Sequence, residues 1–397
     1  MLFDETEFYS ATIKKQIRLL NHSITSGKSL IHVLNKTRMS YDDFVYINND
    51  RPSLKDNHYY TIDDFKQEHH NLPVISFFSG AGGLDLGLEA AGFSHTLLIE
   101  KNLLFCETLK LNKPNWNVYC GDISNFEEMV KIITSLIPTQ TFFDGLFVGG
   151  PPCQPFSIAS NQRFNKNGDK FKRVGFAHET NGNLLFEYIA LIIHFRPTAF
   201  LIENVPGLID LDNGEQLEAA YRQLENCGYQ VHQPLILKAD AFSVPQQRIR
   251  LFIIGNRADK EFVPPQPTHR SLSVGPVFEL PTDDVKNHVT REHAAESILR
   301  YMRLNYGSRD KLGRVDRLDP LLPSKTVIAG GTGGGGRSHL HPYIPRTLSV
   351  RECARIQTFP DNYVFTGPVA RQFTQVGNAV PPILGAQLGT AIFKSFF

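Results

Sequence analysis

One thiol, one acid and two arginines stand where they could act together. Cys153 lies in Gly149-Gly150-Pro151-Pro152-Cys153-Gln154-Pro155-Phe156-Ser157. A free cysteine is more often a small buried hydrophobe than a nucleophile. Here the flanking prolines and a place just after a strand argue for exposure. A free thiol is only a few per cent thiolate at neutral pH, so a reactive one needs a positive neighbour. A helix N-terminus or Arg250 could serve. The acid is Glu203, in Glu203-Asn204-Val205, and the arginines are Arg248 and Arg250, in Gln246-Gln247-Arg248-Ile249-Arg250. Taken singly, each reads as structural or solvated. Converging on one sheet edge, they make a nucleophile, an acid and a cationic clamp.

A second set could hold an adenosine-like cofactor. Ser79-Gly80-Ala81-Gly82-Gly83 turns from an apolar strand into a helix. Glu100 ends the next strand, where an acid can accept both ribose hydroxyls. Asp122, in Gly121-Asp122-Ile123, ends a third strand and could accept from an adenine amino group. The glycine turn alone might only tighten a strand-helix joint. Turn, acid and acid on three successive strand ends favour a cofactor site.

The elements that must position these groups alternate from Pro73 onward. Strands are expected at 74–78, 95–100, 116–119, 146–148, 199–202 and 250–254. Helices are expected at 84–91, stopped by Gly92, and at 103–111, 183–195 and 215–226. Such alternation predicts an α/β, doubly wound, mostly parallel Rossmann-like sheet with helices on both faces. Residues 73–257 form the expected catalytic and cofactor-binding domain. Residues 1–72 read as an N-terminal helical extension, with helices at 12–20, 29–35 and 41–46, the last N-capped by Ser40. Two short helices across a turn permit a helix-turn-helix. Residues 258–341 are proline- and glycine-rich and read as a smaller loop-rich lobe. Residues 342–397 return to helical character and to the catalytic domain.

Composition narrows the class. The chain has 397 residues, 41% hydrophobic and 20% charged, ordinary for a soluble globular protein. No apolar run reaches the length of a membrane helix, and Asp4 and Glu5 stand where a secretory signal would be basic. A cytoplasmic location is expected. The five cysteines are scattered, with no Cys-x-x-Cys, which argues against disulfides and zinc. No metal is expected. Net charge is +1, yet 238–355 holds 19 basic and 12 acidic residues, and 163–173 is a short basic run.

The ordered blocks Pro-Pro-Cys-Gln, Glu-Asn-Val, Gln-x-Arg-x-Arg and Gln375-Val376-Gly377-Asn378-Ala379-Val380-Pro381 resemble the DNA (cytosine-5-)-methyltransferase family, in unpermuted order, from about Pro73 to the C-terminus. The resemblance implies Cys153 as nucleophile, Glu203 as the acid at cytosine N3, and Arg248 and Arg250 as pocket arginines, with Arg250 nearer the base oxygen. It implies S-adenosyl-L-methionine held by Phe78, Gly80, Gly82, Gly83, Glu100, Asp122, Ile123, Pro151, Leu184, Asn378 and Val380. Phe78 and Ile123 would flank the adenine and Leu184 line the methionine side. Lys101 departs from the pattern, since some relatives place an aromatic there. The segment 157–180, with Gln162, Arg163, Lys166, Lys170, Lys172 and Arg173, resembles the mobile loop over a flipped base. Residues 258–341 match the target-recognition region, and double-stranded DNA is the implied partner. The size suggests a monomeric bacterial type II modification methylase, paired with a restriction endonuclease that acts on the same site without binding it. Methylation of tRNA is disfavoured because that branch's Cys-Phe-Thr is missing. A catalytically dead DNA-binding relative is disfavoured by retention of Cys153, Glu203 and Arg250. An amino-methylating enzyme is disfavoured by Pro-Pro-Cys.

Overall fold

The computed structural model describes residues 10–54, 58–137, 142–152, 184–268, 271–329 and 339–397. Cys153, the segment 157–180 and the glycine run after Ala329 lie outside the described residues. In chain order the helices are α1 (Ala11–Ser26), α2 (Leu30–Thr37), α3 (Gly83–Ala90), α4 (Leu103–Asn112), α5 (Phe126–Leu136), α6 (Leu184–Phe195), α7 (Glu215–Asn226), α8 (Ala295–Tyr301), α9 (Val350–Ile356), α10 (Val369–Asn378) and α11 (Pro382–Phe396). The strands are β1 (Leu72–Phe77), β2 (Phe93–Glu100), β3 (Val118–Cys120), β4 (Leu146–Gly149), β5 (Ala199–Asn204), β6 (Gln230–Val231), β7 (Leu235–Lys238), β8 (Gln246–Gln247), β9 (Ile249–Asn256), β10 (Arg309–Asp310), β11 (Val315–Arg317), β12 (Ser324–Lys325) and β13 (His339–Leu340). No described helix is long and apolar enough to cross a membrane.

Two compact units emerge. The sheet unit comprises Thr61–Ser243, Arg248–Arg270 and Ala379–Phe397. Its strands run in the order β3-β2-β1-β4-β5-β9-β6, with β7 also on β9. The first five are mutually parallel, and β9 enters antiparallel to β5. The sheet is therefore the expected α/β, mostly parallel one, with an antiparallel edge. Strands β1 and β4 are near-continuous apolar runs because both faces are covered; Ile75, Phe77, Phe147, Ile189 and Ile202 share one core. Strand order reverses direction between β1 and β4. A crevice outside the carboxyl ends of such a pair is where open α/β sheets bind ligands.

Helix α5 and strands β6 and β7 were not expected from the sequence. Gly92, at φ 93°, lies just past α3 as expected. Gly87 has a packing reason. A Cβ there would fall 2.6 Å from Pro382 O and Ala386 N, so its absence lets α3 and α11 approach backbone to backbone.

The second unit comprises Met1–Tyr60, Val244–Gln247 and Ser271–Asn378. Its boundaries differ from the sequence divisions at 72, 258 and 342. The reason is apolar: Ile13, Ile17, Leu20, Leu34 and Phe44 share a core with Ile298, Leu299, Met302, Val315 and Leu340. The N-terminal helices thus complete the core of the loop-rich lobe. Ser40 caps as expected, but the third helix is a single 3-10 turn, Tyr41–Asp43, whose Tyr41 is buried. Arg317 is buried over the Tyr46 ring at 3.6 Å and donates to the carbonyls of Asn48, Leu304 and Pro342. Arg346 and Glu352 form a buried two-pronged ion pair at 2.9 and 2.8 Å.

Candidate active site

The ends of β1, β2 and β3 gather the first set of polar groups. Phe78 follows β1 at φ 56°, a strained conformation for a bulky residue that is typical of functional turns. Gly80 and Gly82 follow at φ 57° and 74°, and Gly82 caps α3. Glu100 Oε2 accepts from Gly80 N–H at 2.8 Å, and Oε1 accepts from Asn102 N–H at 2.7 Å. Burial outweighs these donors and pushes the Glu100 carboxyl above its usual range.

Asp122 stands beyond β3. Its Oδ1 accepts from Ser124 N–H at 3.1 Å and its Oδ2 from Lys101 at 2.5 Å. Burial opposes the Asp122 carboxylate, but the Lys101 and Ser124 hydrogen bonds win and hold its pKa below the ordinary value. Lys101 therefore binds the very acid expected to meet an adenine. Ile123 is buried at 4% exposure. Leu184 begins α6 and is half-buried. Tyr188, one turn on, is fully buried and meets Phe78 edge-on.

The second set lies at the ends of β4, β5 and β9. Antiparallel pairing sets Glu203 opposite Phe252 and Asn204 opposite Leu251, so Glu203 and Arg250 reach the same end of the sheet. Arg250 Nε donates to Glu203 Oε1 at 2.8 Å, with the two side chains 14% and 16% exposed. Gly150 follows β4. A Cβ on it would lie 2.9 Å from Glu203 Oε2, so the carboxylate occupies the room a side chain would need. Pro151 is buried and Pro152 exposed. Arg248 is fully buried; burial and the charge of Arg250 push its pKa down, against Glu203. Asn378 is the exposed last residue of α10 in the second unit, and Val380 is buried in the sheet unit.

The structure thus brings together Glu203, Arg250 and Gly150, and separately Phe78, Gly80 and Glu100, while Cys153 lies outside the described residues. Sequence reasoning missed Tyr188, Asn102 as a donor and the room that Gly150 leaves for Glu203. The doubled glycine before Pro-Pro-Cys was the available signal for the last.

A family model described as C-5 cytosine-specific DNA methylase matches residues 72–394. The chain is 35% identical over 353 residues to Type II methyltransferase M.PspPI of Psychrobacter sp. (strain TA137), covering 81% of this chain and 79% of that protein. It is 32% identical over 358 residues to Type II methyltransferase M.Eco47II of Escherichia coli, covering 83% and 81%. Among solved structures, an E. coli prophage protein described as a DNA modification methyltransferase superposes with TM-score 0.66 at 23% identity, covering 82% of this chain and 99% of that one. That last likeness bears on the fold.

Proposed function

Because the chain belongs to the C-5 cytosine-specific DNA methylase family, we propose that it transfers a methyl group from S-adenosyl-L-methionine to cytosine in duplex DNA through a covalent bond between Cys153 and carbon 6. The observation that carries this reading is the Glu203–Arg250 pair, whose carboxylate fills the space left by the missing side chain of Gly150, three residues before Cys153.

The strand-end groups suit the methyl donor. Glu100 is a half-buried acceptor oriented by two backbone N–H groups, as a ribose diol requires, and Phe78 offers a ring just past the end of β1. With them, Gly80, Gly82, Gly83, Asp122, Ile123, Pro151, Leu184, Asn378 and Val380 are the proposed binding residues. When bound, the donor supplies an electrophilic sulfonium methyl.

Carbon 5 of cytosine is too weak a nucleophile to take that methyl unaided. Addition of the Cys153 thiolate to carbon 6 makes carbon 5 enamine-like and splits one hard step into two easier ones. Charge then builds on the ring. Glu203 offsets it by holding a proton at N3, and Arg250 steadies Glu203 and polarises the O2 side. Arg248, wholly buried, is proposed to fix the strand that presents Arg250. Loss of the carbon 5 proton, to water in this scheme, lets the thiol depart. The target atom is inaccessible in a stacked duplex, so the base must flip out, at a cost of a few kcal/mol. The segment 157–180 is proposed to cover it, and side chains within 258–341 to read neighbouring bases. The relatives' Type II names support a modification role, in which the enzyme protects DNA from a companion endonuclease; we further propose that it acts as a cytoplasmic monomer.

The test is methyl transfer from labelled S-adenosyl-L-methionine to mixed-sequence duplex DNA, with Cys153→Ala alongside. Label in 5-methylcytosine that vanishes in the variant is the expected result. Label in tRNA alone, or none from folded protein that binds the donor, would overturn the reading.

A further inference from the structure

Two thiols outside the proposed chemistry sit on the backbone corner that carries Glu100. Cys106, on α4, is buried, and Cys120, the last residue of β3, is partly exposed; both are free. The Cys106 thiol donates to Cys120 Sγ at 2.7 Å and lies 3.2 Å from the Glu100 carbonyl oxygen. Cys120 Sγ lies 3.9 Å from the Lys101 carbonyl oxygen. Cys120 is also the β3 partner of Glu100, and Gly121 N–H donates to the Glu100 carbonyl at 3.1 Å. Asn102, whose N–H holds the Glu100 carboxylate, caps α4 through Leu104 N–H at 3.1 Å. The thiol pair therefore underlies the corner whose geometry fixes the carboxylate.

We propose that Cys106 and Cys120 form a redox-active dithiol site that takes two-electron oxidants of the hydroperoxide class and, as a disulfide, weakens cofactor binding at Glu100. The proposal rests on the assignment of Glu100 to the cofactor.

Cys120 reacts first, being the accessible thiol, whereas burial and the Cys120 contact push the Cys106 thiol up. Cys120 thiolate attacks the peroxide, the O–O bond breaks, an alcohol leaves and a sulfenic acid remains. Cys106 sulfur then attacks the sulfenic sulfur; the S–S bond forms, and the hydroxyl leaves as water with the Cys106 proton. Two electrons pass from the thiols to the peroxide. The bond draws the sulfurs to about 2.05 Å and removes the one S–H of Cys106, which lies between Cys120 Sγ and the Glu100 carbonyl. Helix α4 and the end of β3 are tied together, and the Glu100–Asn102 corner shifts with them.

The test uses full-length Cys153→Ala protein, so that the proposed nucleophile consumes no oxidant. Binding of S-adenosylhomocysteine is measured by calorimetry before and after hydrogen peroxide, with peptide mapping of thiols. The expected result is a Cys106–Cys120 cross-link, about five-fold weaker binding, and recovery with dithiothreitol. Adding Cys120→Ser should preserve the affinity through peroxide treatment. No cross-link while Cys227 reacts, or a cross-link with unchanged affinity, overturns the proposal. Reduced protein that fails to bind at all would instead remove the cofactor assignment, and the dithiol's role with it.

Discussion

Glu203→Gln separates the chemical role of this acid from its structural one. Glutamine matches glutamate in shape, so the space against Gly150, where a Cβ would meet Oε2 at 2.9 Å, stays filled. What changes is charge. The Arg250 Nε–Glu203 Oε1 bond at 2.8 Å becomes a charged-to-neutral hydrogen bond. Hydrogen bonds to charged groups contribute about 1.5–3 kcal/mol, and this one keeps one of its two charges, so the loss is a fraction of that and folding should weaken by about 1 kcal/mol. Catalysis should suffer far more. Loss of a general acid typically costs about 10²–10⁴-fold, which at about 1.4 kcal/mol per decade raises the barrier by about 3–5 kcal/mol. Single-turnover methyl transfer with saturating donor and DNA reads the chemical step, and thermal unfolding reads the fold. The combination expected is a melting point within a few degrees of the parent and a rate down at least a hundredfold. A rate within tenfold at unchanged stability would refute the assignment of Glu203 to N3.

Three further outcomes bear on the framework. Gly87→Ala forces a Cβ onto the backbone of α11 at 2.6 Å, where no side chain can give way. Overpacking of this kind costs about 1–3 kcal/mol, so calorimetry should show a melting point lower by several degrees; an unchanged one would contradict the close helix contact. Ile17→Ala removes a fully buried side chain from the core that α1 shares with Ile298 and Leu299, and should cost about 2–5 kcal/mol in a urea titration. A near-neutral result would mean that the N-terminal helices are peripheral. Finally, burial lowers His339 to about 4 and His341 to about 3, both below the ordinary 6.5. The unfolded chain takes up these protons first, so stability is full above about pH 6.5 and falls as pH drops, by about 2 kcal/mol per histidine at pH 5. Urea midpoints that stay level from pH 7 to pH 5 would exclude this linkage.

Legibility followed locality. The strands at 74–78, 95–100 and 199–202 were readable because a buried parallel strand is a short apolar run closed by a turn; the structure extends each by two residues at one end and leaves Phe78 outside β1. Helix 215–226 was readable from its periodicity. Glu203 and Arg250 could be placed at one sheet edge because each adjoins a strand, but their mutual ion pair depends on β9 running antiparallel, which no local pattern announces. The same holds for Lys101 and Asp122, 21 residues apart and joined only when β2 and β3 pair. The N-terminal helices were readable as helices, whereas their core partners lie some 280 residues away along the chain. Tyr41–Asp43 shows tertiary context overriding a local signal: Ser40 caps it and two acids follow, yet burial of Tyr41 and Phe44 stops it after one turn.

The backbone contact between α3 and α11 also has a consequence for biosynthesis. A ribosome makes Ala90 and then nearly three hundred more residues before Pro382 appears. Until then the face of α3 around Gly87 has no covering helix, although β1, β2 and the turn between them are complete. The glycine-lined face is too narrow to accept most substitutes, since only another small-residue helix could lie so close. A nascent chain would therefore hold its cofactor-side strands as an unfinished scaffold, and pairing of two distant segments would gate maturation late in translation. Slow, non-local closure of this kind is where chaperone capture competes with folding.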